Sequence, residues 1–495
     1  MRYTIAKTRT GNEYLFSFSQ KRISVCPPIV KALLKNESDI NRLMKDNGCL
    51  EIDGKRYSTD EVNYYLRKID FLKNNHYYDD VTPDDTFSFQ FDEKIIKEQF
   101  SHADTILFEV TEKCNLRCLY CVYGQYYSVQ DDRQFDNLED VTANSVLDFF
   151  IPLWEKQRNK IYKNITIGFY GGEPLLNFSM IATIVDRLDS FAEKTGVGFQ
   201  YIITTNGVLI DRYIDFLYKH KFRITISLDG DEEHDQYRVF PNGRPSYHIV
   251  VHNILQIKDL YPEYYDSHII FNSVLHDKND EVEVTDYMIN RLGKKPIVSE
   301  AKPMDKTDSS KFVYAPKNNV AGIEGVLDIK KFLHHSIANS LLHFITAYGR
   351  DVKTDCGFFQ YYDLNSIQRH PTGVCVPFSK KVFITAHGKI LPCERINFKH
   401  TLGAVTNGKI IIDYSSIADS YNNHFLRCKE LCSHCFNFFH CQLCLFNDVI
   451  QSDETYRCHS FQNERQHGQY IGYYWSFFEQ SPFVYYEILN NLSYE

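Results

Sequence analysis

Several features are scarce or missing in this chain of 495 residues, and each absence narrows the functions open to it. No apolar run approaches the roughly 18 residues of a membrane-spanning helix. The N-terminus, MRYTIAKTRTGNEY, alternates polar and apolar residues where a signal peptide carries an uninterrupted apolar segment. Basic residues are not in excess, since the net charge is -9. This charge argues against a protein that wraps nucleic acid. We therefore expect a cytoplasmic protein without membrane or nucleic-acid partners.

Methionine and tryptophan are rare, with 5 and 2 residues, whereas the chain has 35 tyrosines and 36 phenylalanines. The overall composition, 43% apolar and 24% charged, is that of a folded protein, and most aromatic side chains are expected in its core. The chain is too long for one ordinary core, so two to four domains are expected. It contains no internal repeat and no low-complexity tract.

Cysteine is abundant, with 14 residues, although disulfides are rare in a reducing compartment. Clustered cysteines in such a compartment usually bind metal. Cys26 and Cys49 stand apart, and we expect them to be ordinary core residues. The others form two groups, which are Cys114, Cys118 and Cys121 in the first and nine residues from Cys356 to Cys458 in the second.

Residues 102–302 alternate predicted strands and helices. The predicted strands are β-branched or aromatic runs and span Thr105–Thr111, Ile165–Tyr170, Phe199–Thr204, Phe222–Leu228, His268–Leu275 and Pro296–Glu300. The amphipathic segments between them include Ala143–Arg158, Met180–Lys194, Ile210–His220 and Ile249–Leu260. Alternating βα units predict an α/β fold with a parallel sheet. Six units predict a partial (β/α)6 TIM-like barrel rather than a closed eight-stranded one.

The N-terminal residues 1–95 are expected to form a small α+β domain. Predicted strands at Tyr3–Thr8 and Glu13–Ser19 flank a turn at Thr10–Asn12, and a second strand pair around Cys49–Tyr57 turns at Asp53-Gly54. Predicted helices lie near Pro28–Leu34 and Thr59–Lys73. This mixture resembles a winged-helix, RRE-like peptide-recognition module, with a structural cap as the alternative.

The C-terminal part divides into three predicted segments. Residues 303–350 form a connecting stretch with one helix, Ile329–Tyr348. Residues 351–470 form the cysteine-dense domain, and residues 471–495 form an aromatic tail that is helical in part.

The first cysteine motif is Thr111-Glu-Lys-Cys114-Asn-Leu-Arg-Cys118-Leu-Tyr-Cys121, directly after the first predicted strand of the barrel. Active sites of such barrels are built in the loops that follow the strands. Three thiolates at this spacing can ligate three irons of a [4Fe–4S] cluster and leave the fourth iron open. A zinc site would normally require a fourth protein ligand or water.

The C-x3-C-x2-C motif at the first strand of six βα units resembles the radical S-adenosylmethionine (SAM) superfamily. Three further segments match its accessory motifs, namely Gly171-Gly172-Glu173-Pro174, Thr205-Asn206-Gly207, and Ser227-Leu-Asp229-Gly230 with Arg238 beyond it. The resemblance implies that the open iron binds SAM and that electron transfer yields a 5′-deoxyadenosyl radical. It implies catalytic cluster ligands at Cys114, Cys118 and Cys121. The implied SAM contacts are Tyr120, Gly171, Gly172, Glu173, Asn206, Ser227, Asp229 and Arg238, although Asn206 and Ser227 also suit ordinary turns.

The second cysteine group reads Cys375-x12-Gly388-x4-Cys393, then Cys432-x2-Cys435-x5-Cys441-x2-Cys444, then Cys458. It resembles the SPASM extension of radical SAM peptide modifiers, in which the last internal pair is usually separated by three residues rather than two. The resemblance implies two auxiliary clusters. The ligands of one are Cys375, Cys393 and Cys444, with Cys356 as candidate fourth ligand; those of the other are Cys432, Cys435, Cys441 and Cys458. Cys428 is spare or replaces Cys356.

Several alternatives remain open at this point. The two C-x2-C pairs also suit a zinc knot, whereas haem is disfavoured because no C-x-x-C-H occurs. Glu394 and Arg395, next to Cys393, either face the substrate or form a structural ion pair. The turn around Gly388 is expected to be a hairpin that brings Cys375 and Cys393 together.

The resemblance implies a radical SAM/SPASM peptide maturase that acts on a ribosomally made precursor peptide with a leader. The expected cofactors are three [4Fe–4S] clusters and SAM, and the expected electron donor is of the flavodoxin or ferredoxin type. The expected product is a thioether or carbon–carbon crosslink. The alternatives are formylglycine formation of the sulfatase-maturase type, a non-catalytic iron–sulfur electron carrier, and a zinc-binding scaffold.

Overall fold

The structure is a computed structural model that describes residues 3–17, 22–35, 49–75, 90–124, 126, 133–157, 164–301, 336–348, 376–438, 441, 449–452, 455–458 and 461–491. Cys356, Cys375 and Cys444 lie outside these ranges, as does the first part of the helix predicted at Ile329–Tyr348. No described helix is both long and apolar enough to cross a membrane.

The secondary structure follows the predicted order with shifted boundaries. The strands are β1 (Tyr3–Lys7), β2 (Glu13–Ser17), β3 (Arg22–Val25), β4 (Cys49–Ile52), β5 (Lys55–Ser58), β6 (Thr105–Thr111), β7 (Ile165–Gly171), β8 (Phe199–Thr205), β9 (Arg223–Ser227), β10 (Ile269–Leu275), β11 (Ile297–Glu300), β12 (Val382–Ile384), β13 (Lys389–Leu391), β14 (Gly403–Thr406), β15 (Lys409–Ile412), β16 (Val449–Ser452) and β17 (Thr455–Cys458). The α-helices are α1 (Pro28–Lys35), α2 (Thr59–Asn74), α3 (Glu93–Ser101), α4 (Asp140–Gln157), α5 (Phe178–Thr195), α6 (Ile214–Lys219), α7 (Tyr247–Leu260), α8 (Pro262–His268), α9 (Glu281–Tyr287), α10 (Ser336–Tyr348), α11 (Tyr414–Ser433), α12 (Glu464–Gln480) and α13 (Phe483–Asn491). Single turns of 3₁₀-helix lie at Pro174–Asn177, Ile210–Arg212 and Phe398–His400, and a π-helical turn lies at Met288–Leu292.

The central sheet has ten strands in the order β11-β10-β9-β8-β7-β6-β12-β13-β14-β15. The six predicted strands form its parallel half and pair in chain order. This arrangement confirms the predicted α/β fold and the parallel order of its six predicted strands. The strand β6 is buried along nearly its whole length, as expected of a parallel strand covered on both faces. Parallel strands end at the same edge, so the loops after β6, β7, β8 and β9 gather there.

The sheet continues beyond β6 into strands from the C-terminal part of the chain. The strand β12 pairs in parallel with β6, with Val382 opposite Ile106, and β12–β15 then pair antiparallel. All three residues of β12 are buried, so the strand needs cover on both faces. The hairpin between β12 and β13 confirms the predicted turn: Gly388 has a φ of 75° and donates to Thr385 O at 2.9 Å.

The chain divides into two compact units that do not follow its linear order. One contains Phe91–His335 and Cys375–Ser420, and the other contains Met1–Gln90, Ser336–Val374 and Tyr421–Glu495. The domain predicted at residues 351–470 does not coincide with one compact unit, because residues 376–420 belong to the first unit and the described residues after 420 belong to the second. The reason is that β12–β15 complete the sheet that begins with the barrel strands.

The second unit joins both ends of the chain. Its strands β1, β2 and β3 form an antiparallel sheet, and the third strand was not predicted. Helix α12 lies directly on β1: a Cβ added to Gly468 or Gly472 would overlap the carbonyl oxygens of β1. Ser476, one turn further along, accepts a hydrogen bond from Arg9 N at 3.0 Å. The predicted core position of Cys26 is confirmed, since it is 2% exposed among apolar neighbours.

Candidate active site

The first cysteine motif forms the loop that follows β6. Cys121 N donates to Cys118 O at 3.1 Å, which closes a turn within the motif. The backbone N–H groups of Arg117 and Leu119 donate to Val239 O and Tyr237 O, at 2.6 and 3.0 Å. The loop is therefore held both by its own turn and by the segment that follows β9.

All three cysteines of this motif are half-buried. Burial raises the pKa of Cys114 to about 11 and also raises the pKa values of Cys118 and Cys121. Nearby guanidinium groups act in the opposite direction: Arg238 does so at all three thiols, and Arg133 also does so at Cys121. Three half-buried thiols near positive charge suit a metal that binds thiolates, because a coordinating metal deprotonates its thiol ligands.

The Gly171–Glu173 segment after β7 packs against the cysteine loop. Gly172 N donates to Thr111 O at 2.9 Å, and Glu173 N donates to Lys113 O at 2.8 Å. A Cβ on Gly172 would overlap Lys113 O. Glycine is therefore required for the close approach of the two backbones.

Glu173 connects the ends of β7 and β8. It is completely buried, and burial raises its pKa. Its carboxylate accepts hydrogen bonds from Thr205 Oγ1 and Asn206 N, both at 2.7 Å. Asn206 Nδ2 in turn donates to Asn115 Oδ1 at 2.7 Å and lies 3.8 Å from Cys114 Sγ. The structure thus brings Glu173 and Asn206 together with the cysteine loop.

Tyr120, Asp229 and Arg238 form a second buried network beside the loop. The Tyr120 hydroxyl donates to Asp229 Oδ2 and accepts from Arg238 Nη1 at 3.0 Å. Asp229 Oδ1 accepts from Val274 N at 2.8 Å, which connects this network to β10. Within the described residues, the buried atoms Arg238 Nε and Asp235 Oδ2 have no hydrogen-bond partner. The two side chains nevertheless form an ion pair, with Arg238 Nε 3.8 Å from Asp235 Oδ1.

Ser227 ends β9, half-buried and in register with Asn272 of β10. His276 was not identified from the sequence, although it directly follows β10. It is completely buried, and its ring stacks on that of Tyr120 with centroids 5.7 Å apart. Burial lowers the pKa of His276, so the neutral imidazole is favoured.

Glu109 and Arg133 were also missed by sequence reasoning. Arg133 donates to Glu109 Oε1 at 2.8 Å and to Glu112 O at 3.2 Å. Its guanidinium lies 4.1 Å from the ring centre of Tyr123, two residues after Cys121. One sequence feature indicated this pair: Glu109 is the only charged residue in the strand TILFEVT, whose other residues are apolar or threonine.

Cys393 follows β13, and its Sγ accepts a hydrogen bond from Arg395 N at 3.3 Å. Lys381 Nζ lies 3.0 Å from the carboxylate of Glu394. Burial opposes ionisation of Glu394, but Lys381 and Arg395 outweigh it and hold its pKa below the usual range. Glu394 therefore forms an ion pair, chiefly with Lys381, whereas the Arg395 side chain is 82% exposed.

The remaining described cysteines of the second group lie in the other unit. Cys428 and Cys432 are on α11, Cys435 and Cys441 follow it, and Cys458 ends β17. Within the described ranges, no three histidine, cysteine, aspartate or glutamate side chains are arranged to hold a single metal ion.

Comparison with known families identifies the barrel. Residues 108–287 match the model of the radical SAM superfamily. The match includes the Cys114–Cys121 motif and the segments that contain Glu173, Asn206 and Asp229.

Curated relatives match between a quarter and two fifths of the chain. The radical SAM cyclopropyl synthase TigE of Paramaledivibacter caminithermalis is 27% identical over 194 residues, which is 37% of this chain and 39% of the relative. A cysteine-type anaerobic sulfatase-maturating enzyme of Clostridium novyi is 29% identical over 157 residues, 31% of this chain and 40% of the relative. An uncharacterized protein of Methanocaldococcus jannaschii is 34% identical over 142 residues, 28% of this chain and 44% of the relative. The chain thus spans less than half the length of these relatives.

A solved structure of anSMEcpe with bound AdoMet and the Kp18Cys peptide has a TM-score of 0.51 and 18% identity. The similarity covers 78% of this chain and 99% of the other. At this identity it supports the fold.

Proposed function

We propose that this chain, whose residues 108–287 match the radical SAM superfamily, is a radical SAM enzyme that modifies a ribosomally made precursor peptide. In this proposal a 5′-deoxyadenosyl radical abstracts hydrogen from the peptide, and the product is a thioether or carbon–carbon crosslink. One observation carries the proposal: the cysteine loop, Glu173 and Asn206 form one hydrogen-bonded assembly at the carboxyl edge of the sheet.

The residues present fit an iron–sulfur cluster with SAM. When bound, this pair supplies the one-electron cleavage that yields the radical. In the proposal Cys114, Cys118 and Cys121 hold the cluster, and Gly171 and Gly172 let the backbone approach SAM closely. Glu173 orients Asn206, while the buried guanidinium of Arg238 supplies positive charge for an anionic group.

A peptide substrate is supported by the comparisons. Relatives are named as sulfatase-maturating enzymes, and the similar solved structure contains a bound peptide. Within the described residues, β3 pairs with β2 alone, and Val25 on β3 is 70% exposed. An extended leader segment would fit this edge as an added strand. We propose that residues 1–95 recognise the leader in this way.

Two auxiliary [4Fe–4S] clusters complete the proposal. Their support is the second cysteine group, from which Cys393, Cys432, Cys435, Cys441 and Cys458 are described. The sets implied by the resemblance also use Cys375 and Cys444, with Cys356 as candidate fourth ligand. The auxiliary clusters would accept one electron from the substrate radical that remains after hydrogen abstraction. A flavodoxin- or ferredoxin-type protein would reduce the catalytic cluster.

The function is tested by co-expressing the enzyme anaerobically with a candidate precursor peptide and measuring the peptide's intact mass. Loss of hydrogen pairs, with fragmentation blocked between two residues, is the expected result. The Cys114→Ala variant is expected to leave the mass unchanged and to produce no 5′-deoxyadenosine. About twelve irons per chain are expected for three four-iron clusters. Zinc instead of iron in the C-terminal group would contradict the auxiliary clusters.

Formylglycine formation is the second candidate, favoured by the sulfatase-maturating relatives. A peptide with a single target cysteine separates the two functions. Conversion to formylglycine removes the cysteine sulfur, whereas a crosslink retains it. A non-catalytic electron carrier would produce no 5′-deoxyadenosine from SAM in either assay.

A further inference from the structure

Two N–H groups approach the sulfur of Cys114. Leu116 N lies 3.4 Å from Sγ and belongs to the cysteine loop itself. Asn206 Nδ2 lies 3.8 Å from Sγ and comes from the loop that follows β8, 92 residues further along the chain. The first contact arises from the local turn of the motif, whereas the second arises from the tertiary structure and brings a side-chain donor to a proposed cluster ligand.

The orientation of the Asn206 amide is fixed by its neighbours. Its Oδ1 accepts a hydrogen bond from Val208 N at 3.0 Å, and a backbone N–H can only donate. The amide nitrogen is therefore the atom that faces the cysteine loop. There Nδ2 donates to Asn115 Oδ1 at 2.7 Å, which leaves its second hydrogen for the sulfur of Cys114.

The loop that carries Asn206 is itself held by buried hydrogen bonds. Asn206 N donates to Glu173 Oε2 at 2.7 Å. Asn253 of α7 donates from Nδ2 to Gly207 O at 2.9 Å and to Val208 O at 3.2 Å. Asn206 and Asn253 are 7% and 4% exposed, so water competes little for these groups. The amide donor of Asn206 is thus held in place beside the sulfur.

We propose that Asn206 donates an N–H···S hydrogen bond to Cys114 that raises the reduction potential of the catalytic cluster, and that Asn115 is the positioning residue for this amide. Hydrogen bonds to the sulfurs of an iron–sulfur cluster are one of the determinants of its potential. Reduction adds negative charge, which an N–H donor stabilises. The electron comes from the flavodoxin- or ferredoxin-type donor proposed above.

This inference rests on the catalytic cluster of the proposed function. It gives Asn206 a role towards the cluster, in addition to the SAM contact that the family resemblance implies, and it gives Asn115 a role that the cysteine spacing does not indicate.

The test is a redox titration of the full-length reconstituted enzyme without SAM, followed by electron paramagnetic resonance. The catalytic cluster is the signal that disappears when Cys114, Cys118 and Cys121 are all changed to alanine. In Asn206→Ala its midpoint potential is expected to become more negative, so that the ratio of reduced to oxidised cluster at a fixed potential falls about two- to tenfold. An unchanged potential overturns the proposal. A parent enzyme without this signal contradicts the catalytic cluster itself and is thereby distinguished from failure of the Asn206 hydrogen bond.

Loss of the Asn206 side chain can also loosen its loop, so a matched control is needed. Asn253→Ala likewise removes a buried amide that holds this loop, but the hydrogen bonds of that amide go to backbone carbonyls rather than to sulfur. The potential of Asn253→Ala is expected to equal that of the parent. A shift as large as that of Asn206→Ala would overturn the proposal, because the order of the loop would then set the potential.

A second measurement needs no substitution. The enzyme is labelled with the heavy stable isotope of nitrogen in its asparagine side-chain amides alone, and the reduced catalytic cluster is studied by pulsed electron paramagnetic resonance. A weak coupling between the cluster and a labelled nitrogen is expected. Absence of this coupling overturns the proposal even if Asn206→Ala fails to fold or to hold iron.

Discussion

Arg133 and Glu109 form an ion pair that solvent does not reach: Nη1 lies 2.8 Å from Oε1, and the two side chains are 1% and 0% exposed. Glu109 Oε2 also accepts a hydrogen bond from Ala386 N at 3.1 Å, in the turn between β12 and β13. Arg133 in turn packs on Tyr123 and donates to Glu112 O, both close to the cysteine motif. One buried pair thus connects the catalytic loop with the hairpin that leads to Cys393.

Removing one partner of this pair is expected to be strongly destabilising. Arg133→Gln leaves the Glu109 carboxyl buried without its cation, which typically costs about 3–5 kcal/mol. The loss is measured by urea unfolding in a Trp475→Phe background, in which Trp154 is the remaining tryptophan and reports on its own unit. The exposed Arg212→Gln change is the control and should leave the midpoint within error. Equal midpoints for both variants would show that the pair is not needed for stability.

Tyr120→Phe tests the network beside the cysteine loop. The change removes the hydroxyl that donates to Asp229 and accepts from Arg238, and leaves both groups buried. A buried polar group without a partner costs about 1–3 kcal/mol, so SAM affinity and stability should both fall. Isothermal titration of reconstituted enzyme with SAM measures the first effect. Tyr237→Phe is the matched comparison, because its hydroxyl bonds to the exposed Asp277, and a smaller loss is expected.

Glu173→Ala is expected to weaken SAM binding at least tenfold. The carboxylate accepts from Asn206 N and Thr205 Oγ1, and a hydrogen bond to a charged group contributes about 1.5–3 kcal/mol. A loss of 1.4 kcal/mol corresponds to about tenfold in affinity. Glu173→Gln retains one acceptor oxygen and should bind SAM with intermediate affinity. The idea fails if Glu173→Ala, with its cluster intact, binds SAM as tightly as the parent enzyme.

Glu479 is expected to make the stability of the second unit, which contains both chain ends, fall at acid pH. Burial raises its pKa, but hydrogen bonds from Thr10, Asn12 and Tyr14 outweigh this effect and bring the pKa to about 2. An unfolded glutamate titrates near about 4.3. The stabilisation is therefore fully present above that pH and is lost as pH falls towards 2.

The measurement is thermal unfolding of a Trp154→Phe variant, in which Trp475 reports on this unit. Between pH 6 and pH 3, Glu479→Gln should lose less stability than the parent, because it has no charge to lose. The exposed Glu464→Gln change should behave like the parent. Parallel pH curves for all three proteins would contradict the role of Glu479.

Strands, helices and motifs that are encoded by a short segment of sequence could be predicted without the structure. Runs such as Ile165–Tyr170 and Phe199–Thr204 predicted β7 and β8 because β-branched and aromatic residues favour strands. The alternation of such runs with amphipathic helices predicted the parallel order of β6–β11. The cysteine spacing predicted a cluster loop because all three thiols lie within eight consecutive residues after one strand.

The pairing of segments that are distant in sequence could not be predicted and is a property of the three-dimensional fold. The strand β12 joins β6 across about 275 residues of sequence, and α12 lies on β1 across more than 450. The edge of a strand, or a helix face lined with small residues, can pack against many partners. Such pairings therefore depend on how the whole chain packs, and no local sequence pattern predicts them. The same holds for Arg133 and Glu109, whose ion pair forms because the fold buries both charges together.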